Sequence, residues 1–164
     1  MKKNIINAIL FNLGWFACVT GGDEIALLAG LSIFTIHFIW INEQPQEWLT
    51  IFIIVLIGFT IDSIWFYTGI MQNGDQSMLI PFWLIVLWAI FATTINNSLR
   101  WFHDHLVLVA LLGLLFGPLA YWIGGNLSNV EIKEPLMQSM LYIGLGWMLM
   151  LPTFFILSKK VRSL

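Results

Sequence analysis

Between residues 93 and 105 the chain reads TTINNSLRWFHDH, a dense set of groups able to do chemistry. Thr93, Thr94, Asn96 and Asn97 supply neutral donors and acceptors. Arg100 adds a planar guanidinium, shaped to hold a phosphate or carboxylate through two parallel hydrogen bonds. His103 and His105 flank Asp104, an arrangement open to proton relay or metal ligation, although an H-x-H pair alone is a weak metal signal and exposed loop histidines are the simpler reading. Upstream, IGFTIDSIWFY at 57–67 carries Asp62, the one acidic residue well inside an apolar run. An ionisable residue at membrane depth is rare and marks a functional site by default. The competing reading is structural: an aspartate locking helix packing.

The surroundings give these residues their weight. The sequence is 59% hydrophobic and 10% charged, with a mean hydropathy of +0.87, against about 45–50% apolar and about 25% charged in soluble domains. This composition is that of an integral membrane protein. A net charge of −2 leaves no nucleic-acid footprint. Cys18 is the single cysteine and has no internal partner for a disulfide. Met1-Lys2-Lys3 resembles a signal n-region, but no convincing cleavage site follows, so it is read as the start of an uncleaved span.

A membrane helix needs about 20 apolar residues. Six segments meet that length: Asn4–Thr20, Glu24–Ile41, Trp48–Ile70, Leu79–Leu99, His105–Gly124 and Leu136–Leu157. The breaks between them, GGD, NEQPQE, QNGDQ, RWFHD and GGNLSNVEIKEP, carry turn chemistry. The expected fold is a single all-α domain over 1–164, a bundle of six transmembrane helices. Lys2, Lys3, Arg100, Lys159, Lys160 and Arg162 then share one face, with only Lys133 opposite. The positive-inside rule makes that face, and both termini, cytoplasmic. Trp40, Trp48, Trp65, Tyr67, Trp101, Tyr121, Trp122 and Tyr142 sit near span ends, where interfacial anchoring is the plain explanation. The shared Gly-Trp pairs of NLGWF and IGLGW are too little to claim an internal repeat.

At about 100° per residue, a helix through the fourth span puts Thr93, Thr94, Asn96, Asn97, Arg100 and Trp101 on one side. Trp88, Phe91, Ala92, Ile95 and Leu99 fall on the other, which is expected to meet lipid. Ser98 is the exception, expected to bond back to its own backbone. Polar groups aimed at hydrocarbon cost roughly 2–7 kcal/mol each, so Thr93, Asn97 and Arg100 are expected to face the bundle interior. The bland alternatives are interhelical hydrogen bonding and, for Arg100, a snorkelling anchor. Asp62 lies about 21 Å along its helix from Trp48, out of reach of Arg100. Asn12, Ser32, Thr93 and Tyr121 lie at a similar level as its expected partners. Gly117-Pro118 marks a kink serving either a cavity or a close helix contact. His37 is the one histidine well inside a span, which argues against a bis-histidine haem, and no metal or cofactor is called for.

Three runs carry a resemblance: WAIFATTINNSLRW at 88–101, GPLAYWIGG at 117–125 and NLGWF at 12–16. With these the chain resembles an uncharacterised family, a domain of unknown function found in small multi-span bacterial inner-membrane proteins. The resemblance implies a multi-pass location in the bacterial inner (plasma) membrane and the company of envelope and lipid-modification proteins. It carries no catalytic role. The candidate pocket is therefore Asn12, Asp62, Thr93, Thr94, Asn96, Asn97, Arg100 and Tyr121, acting on or binding a lipid or isoprenoid-like molecule. Two alternatives stand beside it. One is a small transporter or channel subunit with Asp62 as coupling site, which six short spans would form as an oligomer. The other is a non-enzymatic partner of another membrane protein. Whether the protein is an enzyme is left open, because no acid–base or nucleophile pair at matched depth is visible.

Overall fold

The computed structural model describes residues 2–74 and 80–164. Asp75 and Gln76 of the expected QNGDQ turn, and Leu79 at the expected start of the fourth span, lie outside these residues. Helices build the fold: α1 (Lys2–Ile36) continues into a π-helical turn (His37–Ile41), followed by α2 (Glu47–Tyr67), α3 (Phe82–Ile95), a 3-10 segment (Arg100–Asp104), α4 (Leu106–Leu127) and α5 (Leu136–Val161). A short antiparallel ladder joins β1 (Met71–Asn73) to β2 (Val130–Ile132), with Gln72 opposite Glu131. The loops after α2 and α4, in which turn chemistry was expected, thus tie each other down.

Four helical runs are long and apolar enough to cross a membrane: Lys2–Ile41, Glu47–Tyr67, Leu106–Leu127 and Leu136–Val161. Phe82–Ile95 is apolar but shorter. Leu13, Phe16, Leu28, Leu31, Phe52, Leu56, Leu115, Phe116 and Leu149 are exposed on the outside of the bundle. Soluble monomers rarely show contiguous apolar patches beyond a few hundred Å², and lipid is the solvent that accepts such a surface. This is a multi-pass membrane protein.

The first helical run is twice too long to be one straight span, since 40 residues at 1.5 Å each would reach about 60 Å. It folds back on itself. Gly22 holds φ 64 and ψ −163, a backbone region essentially reserved for glycine. Lys3 Nζ consequently meets Glu43 Oε1 at 2.7 Å, and a Cβ added at Gly14 would fall 2.6 Å from Ile33 Cδ1. The bend also positions α3: Asp23 Oδ1 accepts the Trp83 amide at 2.9 Å, satisfying one of the free N–H groups at that helix's start with an acidic side chain.

α3 is the centre of the bundle, packed against α1, α2 and α5. Trp88, Ala92 and Ile95, expected to face lipid, are buried. The wheel divided the helix into polar and apolar sides, but neighbours enclose it on both. Lipid is met instead by α1, α2, α4 and α5. Between α4 and α5 the small residues allow close approach: a Cβ at Gly113 would come within 2.5 Å of the Trp147 carbonyl oxygen, and one at Gly144 within 2.8 Å of that of Leu114. α4 runs on through Pro118, and the Gly117-Pro118 pair serves this helix contact. Trp40, Trp48, Tyr67, Trp101, Trp122 and Tyr142 are exposed as an anchoring belt requires, whereas Trp65 is buried.

Gly22→Val isolates the bend, because a Cβ there meets nothing within 4 Å and only backbone strain is added. The expected loss is about 1–3 kcal/mol, read as a lower thermal midpoint of the detergent-solubilised protein. An unchanged midpoint would show that the hairpin does not need the left-handed backbone.

Candidate functional site

The scarce buried polar groups sort into two places. In the first, Asp62 on α2 is fully buried and both carboxyl oxygens are taken. Trp88 Nε1 of α3 donates to Oδ2 at 2.6 Å, and Tyr121 Oη of α4 donates to Oδ1 at 2.7 Å. Tyr121 is the partner expected from its level in the membrane; Trp88 is not, having been assigned to lipid. A buried indole N–H needs an acceptor, and that requirement could have pointed to it. The other expected partners go elsewhere. Asn12 and Ser32 are exposed and donate to their own helix, at Ala8 O and Leu28 O, both at 2.8 Å, while Thr93 joins the second cluster. Aromatic rings enclose the carboxyl group: Trp88 stacks on Trp147 with centroids 5.2 Å apart, and Trp65 presents its edge to Tyr121 at 5.5 Å. A Cβ at Gly58 would strike the Trp88 ring, so that glycine opens the space the indole occupies.

The second place is the end of α3. Here the α-helix stops at Ile95, four residues before the expected end. In a continuing helix the Thr93 carbonyl would accept the Asn97 N–H. Instead it accepts the side-chain amides of Asn97 at 2.9 Å and Asn7 at 3.4 Å. The Asn97 N–H turns to Thr94 O at 3.1 Å, and the Leu99 N–H reaches that same oxygen at 2.8 Å. The threonine hydroxyls donate to carbonyls three residues back, Thr93 to Ile90 at 2.7 Å and Thr94 to Phe91 at 2.6 Å. Side chains of this type compete with the backbone ladder, and Thr93, Thr94 and Asn97 together end it. Asn7 of α1 clamps the result, because its Oδ1 accepts from both the Ser98 hydroxyl at 2.7 Å and the Ser98 amide at 3.2 Å. Ser98 therefore bonds across helices rather than to its own backbone. Irregular backbone inside a membrane protein is tolerated where protein encloses it.

Beyond this broken end lies a cavity of about 510 Å³, lined by Lys2, Lys3, Asn4, Ile41, Glu43, Gln44, Glu47, Asn96, Asn97 and Arg100. Asn96 is only 5% exposed, and neither its Nδ2 nor its Oδ1 has a hydrogen-bond partner among the described residues. Asn97 donates to Glu47 Oε1 at 2.7 Å. The second Glu47 oxygen lies 3.4 Å from His37 Nε2, and both of those side chains are almost fully buried. His37 sits on the π-helical turn closed by the Asn42 N–H to the His37 carbonyl at 2.7 Å. Arg100 is exposed and lines the cavity rather than pointing into the core. Asn96, Asn97 and Arg100 thus share one cavity; Thr93 and Thr94 are buried behind it, Asp62 and Tyr121 form the separate aromatic cluster, and Asn12 lies on the outer surface. Glu47, Asn7 and Lys2 belong here but were not singled out from sequence. Glu47 reads as one more polar residue of the NEQPQE turn, and its burial depends on the hairpin that brings α1 over it.

Lys3 holds the Glu43 carboxyl below the usual range through its hydrogen bond and charge. At the same end Arg162 Nη2 donates to His103 Nδ1 at 3.2 Å. Burial, then the neighbouring Arg162 charge, pushes His103 down to about 4. His103 is half-buried, whereas His105 is the exposed loop histidine expected.

Two outcomes follow from these contacts. Trp88→Phe leaves Asp62 Oδ2 without its donor, so stability should fall by about 1–3 kcal/mol, measured as reversible unfolding in mixed micelles; an unaffected protein would contradict the lock. For His103, the folded form resists protonation relative to an unfolded chain titrating at about 6.5. Its contribution is therefore complete above about pH 6.5 and is lost as pH falls toward about 4. His103→Gln should flatten the decline in thermal midpoint across that window, and an identical slope would contradict the assignment.

Residues 4–153 match the family described as Protein of unknown function (DUF2878), and the chain belongs to it. No curated protein and no solved structure matches the chain.

Proposed function

We propose that this DUF2878 member crosses the plasma membrane of a bacterium six times, with both termini in the cytoplasm, and holds the phosphate-bearing head of a lipid in the cavity at its cytoplasmic end. Two arms of the α1 hairpin, about 20 residues each, have the length a crossing needs. α3 completes its crossing through the irregular turn that follows it. Lys2, Lys3 and Arg100 share the cavity, and Arg162 contacts His103 on the segment that begins with Arg100. Lys133 sits at the ladder, its amide bonded to the Ile70 carbonyl at 3.0 Å. The positive-inside rule favours a cytoplasmic position for the cation-rich end.

The observation that carries the ligand is Asn96. A buried amide without partners costs free energy that a bound acceptor and donor would recover. Arg100 and Lys2 stand beside it, and among the described residues neither is held in an ion pair. Guanidinium and ammonium groups with an amide donor are the chemistry that binds a phosphodiester. A cavity of about 510 Å³ lies within the usual range for small-molecule sites, about 300–1,000 Å³. Asp62 takes the part of a packing lock rather than a coupling site, since neutral donors occupy both its oxygens and it does not line this cavity.

Phospholipid retained by the purified full chain tests the reading. Arg100→Ala and Asn96→Leu should each lower retained lipid phosphorus about tenfold, while Asn12→Leu, on the outer surface, should leave it unchanged. Equal retention by all three variants would overturn the site.

A further inference from the structure

The cavity contains an acid that a purely anionic ligand would not explain. Glu47 is 2% exposed, lines the cavity and is not paired with lysine or arginine among the described residues. Burying a carboxyl group is expensive where, as here among the described residues, a histidine alone lies within ion-pair distance of it. A carboxylate has roughly four acceptor positions. Asn97 fills one at 2.7 Å, and His37 lies at 3.4 Å from the other oxygen. Capacity to accept therefore remains on the cavity side. The cations are likewise divided: Lys3 is bound to Glu43, and among the described lining residues Lys2 and Arg100 stay available.

We propose that the ligand head carries a cationic amine next to its phosphate, as in an ethanolamine phosphodiester: Arg100 and Lys2 take the phosphate and Glu47 takes the amine. The inference rests on the headgroup reading above and specifies its chemistry. A head bearing phosphate alone would meet repulsion from Glu47, and an uncharged polyol would leave Arg100 and Lys2 unused. A zwitterion meets both. Asn96 suits it too, because its bare amide offers Nδ2 to a phosphoryl oxygen and Oδ1 to an ammonium N–H.

Native mass spectrometry of the full chain in detergent, with lipids of identical acyl chains, provides the test. Phosphatidylethanolamine should bind about tenfold more tightly than phosphatidylglycerol or phosphatidic acid, the scale of one charge-assisted hydrogen bond. Glu47→Gln should bring ethanolamine and glycerol heads within about twofold of each other. Glu47→Asp, which keeps the charge, should retain a preference and serves if the glutamine variant does not fold. Free phosphoethanolamine supplies a further arm. Displacement of bound lipid at equal concentration would support the same chemistry from a water-soluble source, and no displacement would support the lipid. A wild-type protein indifferent to the amine, or a Glu47→Gln protein that keeps the full preference, would overturn the proposal while leaving phosphate binding intact. Binding of diacylglycerol as tightly as every phospholipid would instead overturn the headgroup reading beneath it.

Discussion

Inside hydrocarbon no water completes a hydrogen bond, so each buried polar group must find its partner within the protein or in something the protein binds. In a chain with 10% charged residues this constraint acts on few groups, and nearly all the specific architecture can be traced to them. Asp62 gathers donors from two other helices, Trp88 on α3 and Tyr121 on α4, and so fixes three helices relative to one another. Trp147 of α5 joins through its ring stacked on Trp88. Apolar packing alone would permit many rotations of such helices; a carboxyl group with two directional partners selects among them.

The same rule ends α3. Asn7, Asn97 and the two threonines satisfy themselves on backbone carbonyls, displacing the ladder. The helix then opens into an irregular turn that only a central, protein-enclosed position can shelter. Asn96 follows immediately and inherits the consequence: it is buried, with no hydrogen-bond partner among the described residues. The cavity and its unsatisfied wall are products of the motif that closes the helix. Polar residues at 93, 94, 97 and 98 are engaged within the protein, whereas 96 and 100 line the cavity.

How much of this was legible in the sequence depends on the range of the interaction. Composition and apolar run length gave the membrane class, and glycine at 22 marked the reversal correctly because its cause is local. The buried side of Thr93 and the bond from Tyr121 to Asp62 followed from helical rise and rotation. Failures came where a neighbouring helix decides. Trp88 faces an acid on α2, not lipid, because α3 is surrounded. Ser98 finds Asn7, 91 residues away in sequence. Glu47 becomes a buried cavity residue because the hairpin folds over it, and no local pattern around NEQPQE announces that. The early stop of α3 was within reach, since Thr93, Thr94 and Asn97 are visible as competing side chains close together, but a wheel assumes that the helix continues.

Asn96 separates a structural polar cluster from a ligand site more sharply than any other residue. Its side-chain amide can be followed by nitrogen-15 NMR in the full chain, titrated in micelles with phosphatidylethanolamine and, in parallel, with diacylglycerol. A saturable shift of the Asn96 Nδ2 resonances with the phospholipid alone, with the exposed Asn12 amide unmoved, is the expected result. An Asn96 amide that stays fixed, or that moves equally with both lipids, would contradict a headgroup site at the broken end of α3.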